Sequence, residues 1–148
     1  MLVKASVETA TGHRLLGYEG KCSHPHGHNY LWTAMLDVMQ LDDIGMAVDF
    51  SKLKSILKRV VEPLDHAFVL HVDDPLVGVL RLAKNRMVVI DRNPTAEHLA
   101  LWVRAQLRKE FNYGVLRIRV QETLLCEVET GGVEYGAEEV VKTKEQQS

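Results

Sequence analysis

The sequence predicts an α+β fold of order ββααββ, an antiparallel sheet with two helices packed on one face. Three observations predict it: two extended apolar-rich runs joined by a glycine-bearing segment near the N-terminus, two helical stripes further along, and an alternating run after Val115. The 148 residues fit a single domain over 1–136 followed by a polar C-terminal tail, 137–148.

The first strand covers Leu2 to Ala10 and continues into Thr11-Gly12-His13-Arg14. Gly17 and Gly20 permit the chain to fold back as a hairpin, and a second strand rich in Tyr, Trp, Leu and Val runs from Asn29 to Met39. Asp42-Asp43-Ile44-Gly45 turns it. The first helix starts near Asp49 or Ser51, either able to cap it, buries Leu53, Ile56, Leu57, Val60 and Val61, and ends at Pro63. The second opens at Asn93-Pro94-Thr95 with Thr95 as cap, carries the stripe Ala96, Leu99, Ala100, Val103 and Leu107, and stops before Asn112-Tyr113-Gly114. Residues 65 to 94 make too long a connection for a plain loop, so local strand or turn structure that frames a site is expected there, around the apolar run Met87-Val88-Val89-Ile90. In the last run Leu116, Ile118 and Val120 face one way and Arg117, Arg119 and Gln121 the other. Glu122 then arrives on the apolar side, where a carboxylate must meet a partner or serve a ligand. The outer strands leave exposed edges, which favours a closed ring of protomers over a monomer.

The 18 basic and 20 acidic residues nearly cancel and are interspersed, which excludes the electrostatic footprint of a nucleic-acid or anionic-membrane binder. The N-terminal run lacks the apolar core of a signal peptide, and no stretch approaches the ~18 apolar residues of a spanning helix. A cytoplasmic protein is expected. Of the two cysteines, Cys22 reads as a free functional thiol and Cys126 as a small buried hydrophobe.

The run Cys22-Ser23-His24-Pro25-His26-Gly27-His28-Asn29-Tyr30 concentrates one thiol and three imidazoles. In an extended segment residues two apart share a face, so His26 and His28 can converge on one ion while Gly27 leaves the space clear. A catalytic zinc site takes three protein ligands and keeps a fourth position open. His13, brought across the hairpin, is the best third ligand; His24 is a poorer one because Pro25 holds it in the loop. His71 and His98 read as surface residues.

In order, Gly12-His13-Arg14-Leu15, Cys22-x3-His26-Gly27-His28-Asn29-Tyr30, Asp49-Phe50, Leu64-Asp65-His66, Pro94-Thr95-Ala96-Glu97 and Glu122-Thr123 resemble the 6-pyruvoyltetrahydropterin synthase and 6-carboxytetrahydropterin synthase family, over nearly the whole chain. The resemblance implies the tunnelling fold, in which protomers oligomerise into a β-barrel as a homo-trimer or hexamer. It implies Zn2+ on His13, His26 and His28, and a pterin triphosphate substrate, 7,8-dihydroneopterin triphosphate. Cys22 would be the proton-transfer base, Asp65 and His66 the second half of a proton relay, and Glu122 the acceptor for the pterin ring, with Thr95 and Glu97 lining the pocket. The short chain and the Gly-His-Arg-Leu motif look more like the 6-carboxy branch of 7-deazaguanine and queuosine biosynthesis, a lyase, than the pyruvoyl branch of the biopterin pathway. His98 stands where Asn is usual in the family. Arg14, Lys52 and Lys54 are the candidates for the triphosphate.

A reading from another class is a closed structural site, with Cys22 as fourth ligand to the three histidines. A third is a pterin-binding protein without catalysis.

Overall fold

The computed structural model describes residues 1–131, so the tail assigned to 137–148 lies outside the described residues. Among those residues the elements are β1 (Leu2–His13), β2 (His26–Asp37), α1 (Phe50–Val61), β3 (Ala67–His71), α2 (Leu76–Leu82), β4 (Met87–Ile90), α3 (Ala96–Arg108), β5 (Val115–Thr123) and β6 (Cys126–Glu129). The six strands form one sheet in the order β4-β3-β1-β2-β5-β6.

The N-terminal half of the expectation holds, with the first strand longer than its apolar run suggests. β1 and β2 pair antiparallel along their whole length, from Leu2 against Asp37 to His13 against His26. Odd residues of β1 and even residues of β2 point to the same face, where Tyr30, Trp32, Ala34 and Leu36 are fully buried. α1 and α3 cover that face. Asp49 caps α1 by accepting from the Ser51 N–H at 2.7 Å, and Thr95 accepts from the His98 N–H at the start of α3. Leu53, Ile56, Leu57 and Val61 of α1 and Leu99, Ala100, Val103 and Leu107 of α3 enter one core with the inward residues of β1, β2 and β5. Burying such aliphatic side chains is worth about 1.5–3 kcal/mol each. Trp102, absent from the expected stripe, is buried as well.

The middle of the chain corrects the expectation of a wholly antiparallel sheet with two helices. The long connection folds into β3, α2 and β4; β3 pairs parallel with both β1 and β4, so the sheet is mixed. A third, short helix lies on the face opposite α1 and α3. The parity of β3 and β4 explains this placement: Val69 and Ile90 join the main core, whereas Leu70 and Met87 form a second cluster with Val77 of α2. Cys126 also departs from expectation. It is exposed at the first position of the edge strand β6.

A buried ion pair fastens the start of the hairpin loop to the segment before α2. The Arg14 guanidinium donates through Nε to Asp74 Oδ2 at 2.6 Å and through a terminal nitrogen to Oδ1, and the Asp74 side chain is fully buried. The guanidinium holds the Asp74 carboxyl below its ordinary value of 3.8. A depressed carboxylate contributes stability that is complete above its unfolded pKa and lost as the pH falls through the folded one. Asp74→Asn is therefore expected to cost about 3 kcal/mol at neutral pH, by leaving a partly buried cation unpaired. Urea denaturation followed from pH 7 to pH 3 should show a flatter acid limb for the variant than for the wild type.

Candidate metal and pterin site

The β1–β2 ladder fixes the histidines. His13 lies opposite His26, His28 is two residues further along β2, and all three point to the helix-covered face, where their rings sit 4.5 to 5.2 Å apart, centroid to centroid. One ring nitrogen from each lies within 4.8 Å of the other two, so the group could hold a metal ion. Cys22 is not a member of this group, and His24 is exposed in the loop.

The donor set fits a transition metal. His13 Nδ1 donates to the Pro94 carbonyl at 2.8 Å, and His26 Nδ1 does the same to the His24 carbonyl at 2.8 Å, which leaves Nε2 of each ring as the free lone pair. Burial of His13 lowers its pKa from 6.5, so the imidazole stays neutral and able to ligate. Such polar rings, crowded on a partly buried face, suit imidazole-binding metals.

Gly27 works differently from the expectation that it clears space between ligands. Its Cα faces the other side of the sheet, and a Cβ there would come within 3.0 Å of the Thr11 carbonyl oxygen. Across the ladder, Gly12 has the Phe68 ring lying on it, 2.9 Å from where a Cβ would stand. Both glycines permit close approach on the reverse side of the triad.

Tyr30 continues the row begun by His26 and His28. Its fully buried hydroxyl donates to Glu122 Oε1 at 2.7 Å and lies 3.3 Å from His13 Nε2. The same Glu122 oxygen is 3.5 Å from His13 Nε2 and 3.6 Å from His28 Nε2. Burial, then the neighbouring Glu122, raise the Tyr30 pKa far beyond the ordinary phenol value, so it remains a proton donor at all working pH. The Cys22 thiol and the Glu97 carboxylate add to that rise, which places both in electrostatic reach of the hydroxyl. Thr95, spent as the α3 cap, adjoins Pro94, whose carbonyl orients His13.

Asp65 and His66 form a pair of their own. Asp65 Oδ1 accepts the Ala10 N–H at 2.9 Å, and Oδ2 lies 3.0 Å from His66 Nδ1. The Ala10 N–H is the main reason the Asp65 carboxyl sits below its ordinary pKa. A buried chain positions the pair: Trp32 Nε1 donates to Thr9, Thr9 and Thr11 share a 3.0 Å hydrogen bond, and Thr11 donates to the Leu64 carbonyl. His66, with φ 52°, is largely exposed and lines a cleft of about 410 Å³ with Ala10, Gly12, Gly27, Asn29, Phe68 and Arg86. His28 of the triad borders the same cleft.

A model of the 6-pyruvoyl tetrahydropterin synthase family matches residues 3–133. The chain belongs to that family. A 6-carboxy-5,6,7,8-tetrahydropterin synthase of Rickettsia felis is 30% identical over 130 residues, covering 83% of this chain and 94% of the relative. Two solved structures share the fold: an uncharacterized protein from Wolinella succinogenes, with TM-score 0.75 and 22% identity over 88% of this chain and 97% of the other, and the 6-pyruvoyl tetrahydropterin synthase of Caenorhabditis elegans, with TM-score 0.66 and 21% identity over 90% and 96%. Membership makes the chain an enzyme of the tetrahydropterin synthase family, and among its described residues no helix is long and apolar enough to cross a membrane.

Three residues at or near the site, Tyr30, Pro94 and Asp74, are given no role by the sequence. Tyr30 was legible, since it shares the parity of His26 and His28. Pro94 was not, because it acts through its carbonyl. Asp74 was hidden by distance; it pairs with Arg14, one of the triphosphate candidates. His98 is also less of a surface residue than expected: its Nδ1 donates to the Asn93 carbonyl at 2.9 Å, while the Asn93 amide clasps the Leu16 backbone on both sides. His71 Nδ1 accepts the Asp73 N–H at 3.1 Å. Competition with a chromophoric chelator is expected to give one Co2+ or Zn2+ site per chain. His28→Ala should abolish it, and His24→Ala should leave it in place.

Proposed function

We propose that the protein converts 7,8-dihydroneopterin 3'-triphosphate to 6-carboxy-5,6,7,8-tetrahydropterin, releasing acetaldehyde and triphosphate, as a zinc-dependent lyase of 7-deazaguanine and queuosine biosynthesis. The observation that carries this reading is the three-histidine cluster with the Tyr30-bonded Glu122 carboxylate at its mouth. The name of the Rickettsia felis relative supports the 6-carboxy branch.

His13, His26 and His28 hold Zn2+ in this reading. The bound ion supplies Lewis acidity toward the hydroxyls of the substrate side chain, which acidifies the neighbouring C–H and O–H groups. Glu122 accepts the ring N–H and amino group of the pterin, with Oε2 the oxygen that lacks a partner among the described residues. Thr95 and Glu97 line the same pocket. Cys22, partly buried and within electrostatic reach of Tyr30, takes the proton from the side-chain carbon. Asp65 fixes the tautomer of His66 through Nδ1, which frees Nε2 to pass a proton.

Within one chain Cys22 lies in electrostatic reach of Tyr30 beside the triad, while His66 lines a cleft that touches the triad at His28. In this reading the complete site lies between protomers of a homo-trimer or hexamer, each lending its Asp65–His66 pair to a neighbour. Among the described residues β4 and β6 are the outer strands of the sheet, a placement that suits such a ring. The pyruvoyl product is the second reading, favoured by the family model's own description and by the Caenorhabditis elegans structure.

Product analysis by mass spectrometry is expected to find triphosphate and acetaldehyde in equal amounts; triphosphate without acetaldehyde would assign the pyruvoyl branch. Cys22→Ala should abolish turnover at unchanged zinc content, whereas loss of zinc would indicate the closed structural site. Mixing Cys22→Ala with His66→Ala, each inactive alone, should restore activity after subunit exchange if the site is shared.

A further inference from the structure

The loop that carries Cys22, residues 14–25 between β1 and β2, is fastened to segments distant in sequence by two ties. Arg14 pairs with Asp74, and the backbone of Leu16 meets the side chain of Asn93. The second tie is double. Asn93 Oδ1 accepts the Leu16 N–H at 2.7 Å and Nδ2 donates to the Leu16 carbonyl at 2.9 Å, so the side-chain amide stands in for a neighbouring strand and satisfies both backbone groups of one residue. One residue back, the Leu15 N–H donates to the Cys22 carbonyl at 2.8 Å. The thiol residue is thus bonded across the loop to the neighbour of the clasped one.

Asn93 is itself held through its main chain. Its carbonyl accepts the Thr95 N–H at 2.8 Å and the His98 Nδ1–H at 2.9 Å, which fixes it against the first turn of α3. The next residue, Pro94, turns its carbonyl to His13 Nδ1 at 2.8 Å. Two consecutive residues therefore grip the two halves of the site, Asn93 the loop of the thiol and Pro94 a member of the histidine triad. Misplacing a reacting group by about 1 Å can cost about a hundredfold in rate, so such a bracket bears on catalysis as well as on folding.

We propose that Asn93 is a positioning residue for the Cys22 thiol, setting its place beside the histidine triad through the Leu16 backbone. Its effect on turnover rests on the proposed role of Cys22 as base; its hold on the loop does not. Alanine at this position removes both hydrogen bonds to Leu16, while Pro94 keeps its carbonyl on His13. The thiol can therefore be loosened without disturbing the metal ligands.

The test compares the full-length, zinc-loaded wild type with Asn93→Ala and His98→Ala. Alkylation of Cys22 by iodoacetamide is followed by peptide mass spectrometry, with the exposed Cys126 as reference thiol in the same molecules. In Asn93→Ala the partly buried Cys22 is expected to react several-fold faster, approaching Cys126, while kcat with 7,8-dihydroneopterin triphosphate falls about tenfold or more and KM and zinc content stay near wild type. His98→Ala, which frees only the Asn93 carbonyl, should move alkylation and kcat the same way by less. An unchanged Cys22 rate in Asn93→Ala would overturn the proposal, as would a wild-type kcat in that variant while Cys22→Ala is inactive. Loss of zinc together with turnover would also overturn it, since Asn93 would then support the whole hairpin and not the thiol in particular. If Cys22→Ala keeps its turnover, the proposed base falls, and the alkylation rates still decide whether Asn93 holds the loop. Retained zinc and an unchanged Cys126 rate separate these outcomes from misfolding.

Discussion

The register of the β1–β2 ladder is the constraint on which the rest of the site depends. Twelve residues of each strand pair without a break, and the last pair is His13 with His26. Because side chains alternate, a slip of one residue would send His26, His28 and Tyr30 to the opposite face and His13 would face no partner. The register is held by what lies further down the ladder. Tyr30, Trp32, Ala34 and Leu36 are sealed under α1 and α3, and each would be expelled from the core by the same slip. Packing tens of ångströms of strand thus secures the placement of three imidazoles to a fraction of that length.

The polar interior is arranged as two separate networks that meet at β1. One runs from Tyr30 through Glu122 to His13 and on to the Pro94 carbonyl. The other runs from Trp32 through Thr9 and Thr11 to the Leu64 carbonyl, the residue before Asp65. Buried hydroxyls and indole N–H groups are costly when unpaired, so each network is constrained to one arrangement. The residues between the motifs are accordingly not filler. Thr9 and Thr11 connect the core to the acid–imidazole pair, and Arg14 with Asp74 ties the loop carrying the thiol to the segment preceding α2.

Much of this was legible in the sequence wherever a period or a cap carried the information. The helix starts at Asp49 and Thr95, the inward stripe of α1, the face of Glu122 and the same-side pair His26 and His28 all follow from local chemistry. The parallel pairing of β3 did not. Its five residues, Ala67-Phe68-Val69-Leu70-His71, are apolar on both faces because each face is covered, and a short two-sided run has no period to read. Cys126 misled for a related reason: its residue type suggests burial, but its place at the tip of an edge hairpin decides otherwise. Backbone carbonyls such as that of Pro94 leave no trace in side-chain identity, so the partner of His13 could only be found in three dimensions.

The mixed pairing of β1 has a consequence for the order in which the molecule assembles. β1 meets β2 through a hairpin whose loop spans only residues 14–25, whereas its parallel contact with β3 joins Thr11 to Ala67, much further along the chain. Closing the longer loop costs more chain entropy, and contacts between distant residues set the pace of folding. The three histidines therefore belong to the quick, local part of the fold and the Asp65–His66 pair to the slow, distant part. An ion captured at the mouth of the hairpin would hold a half-built molecule in its correct register while the remaining strands arrive.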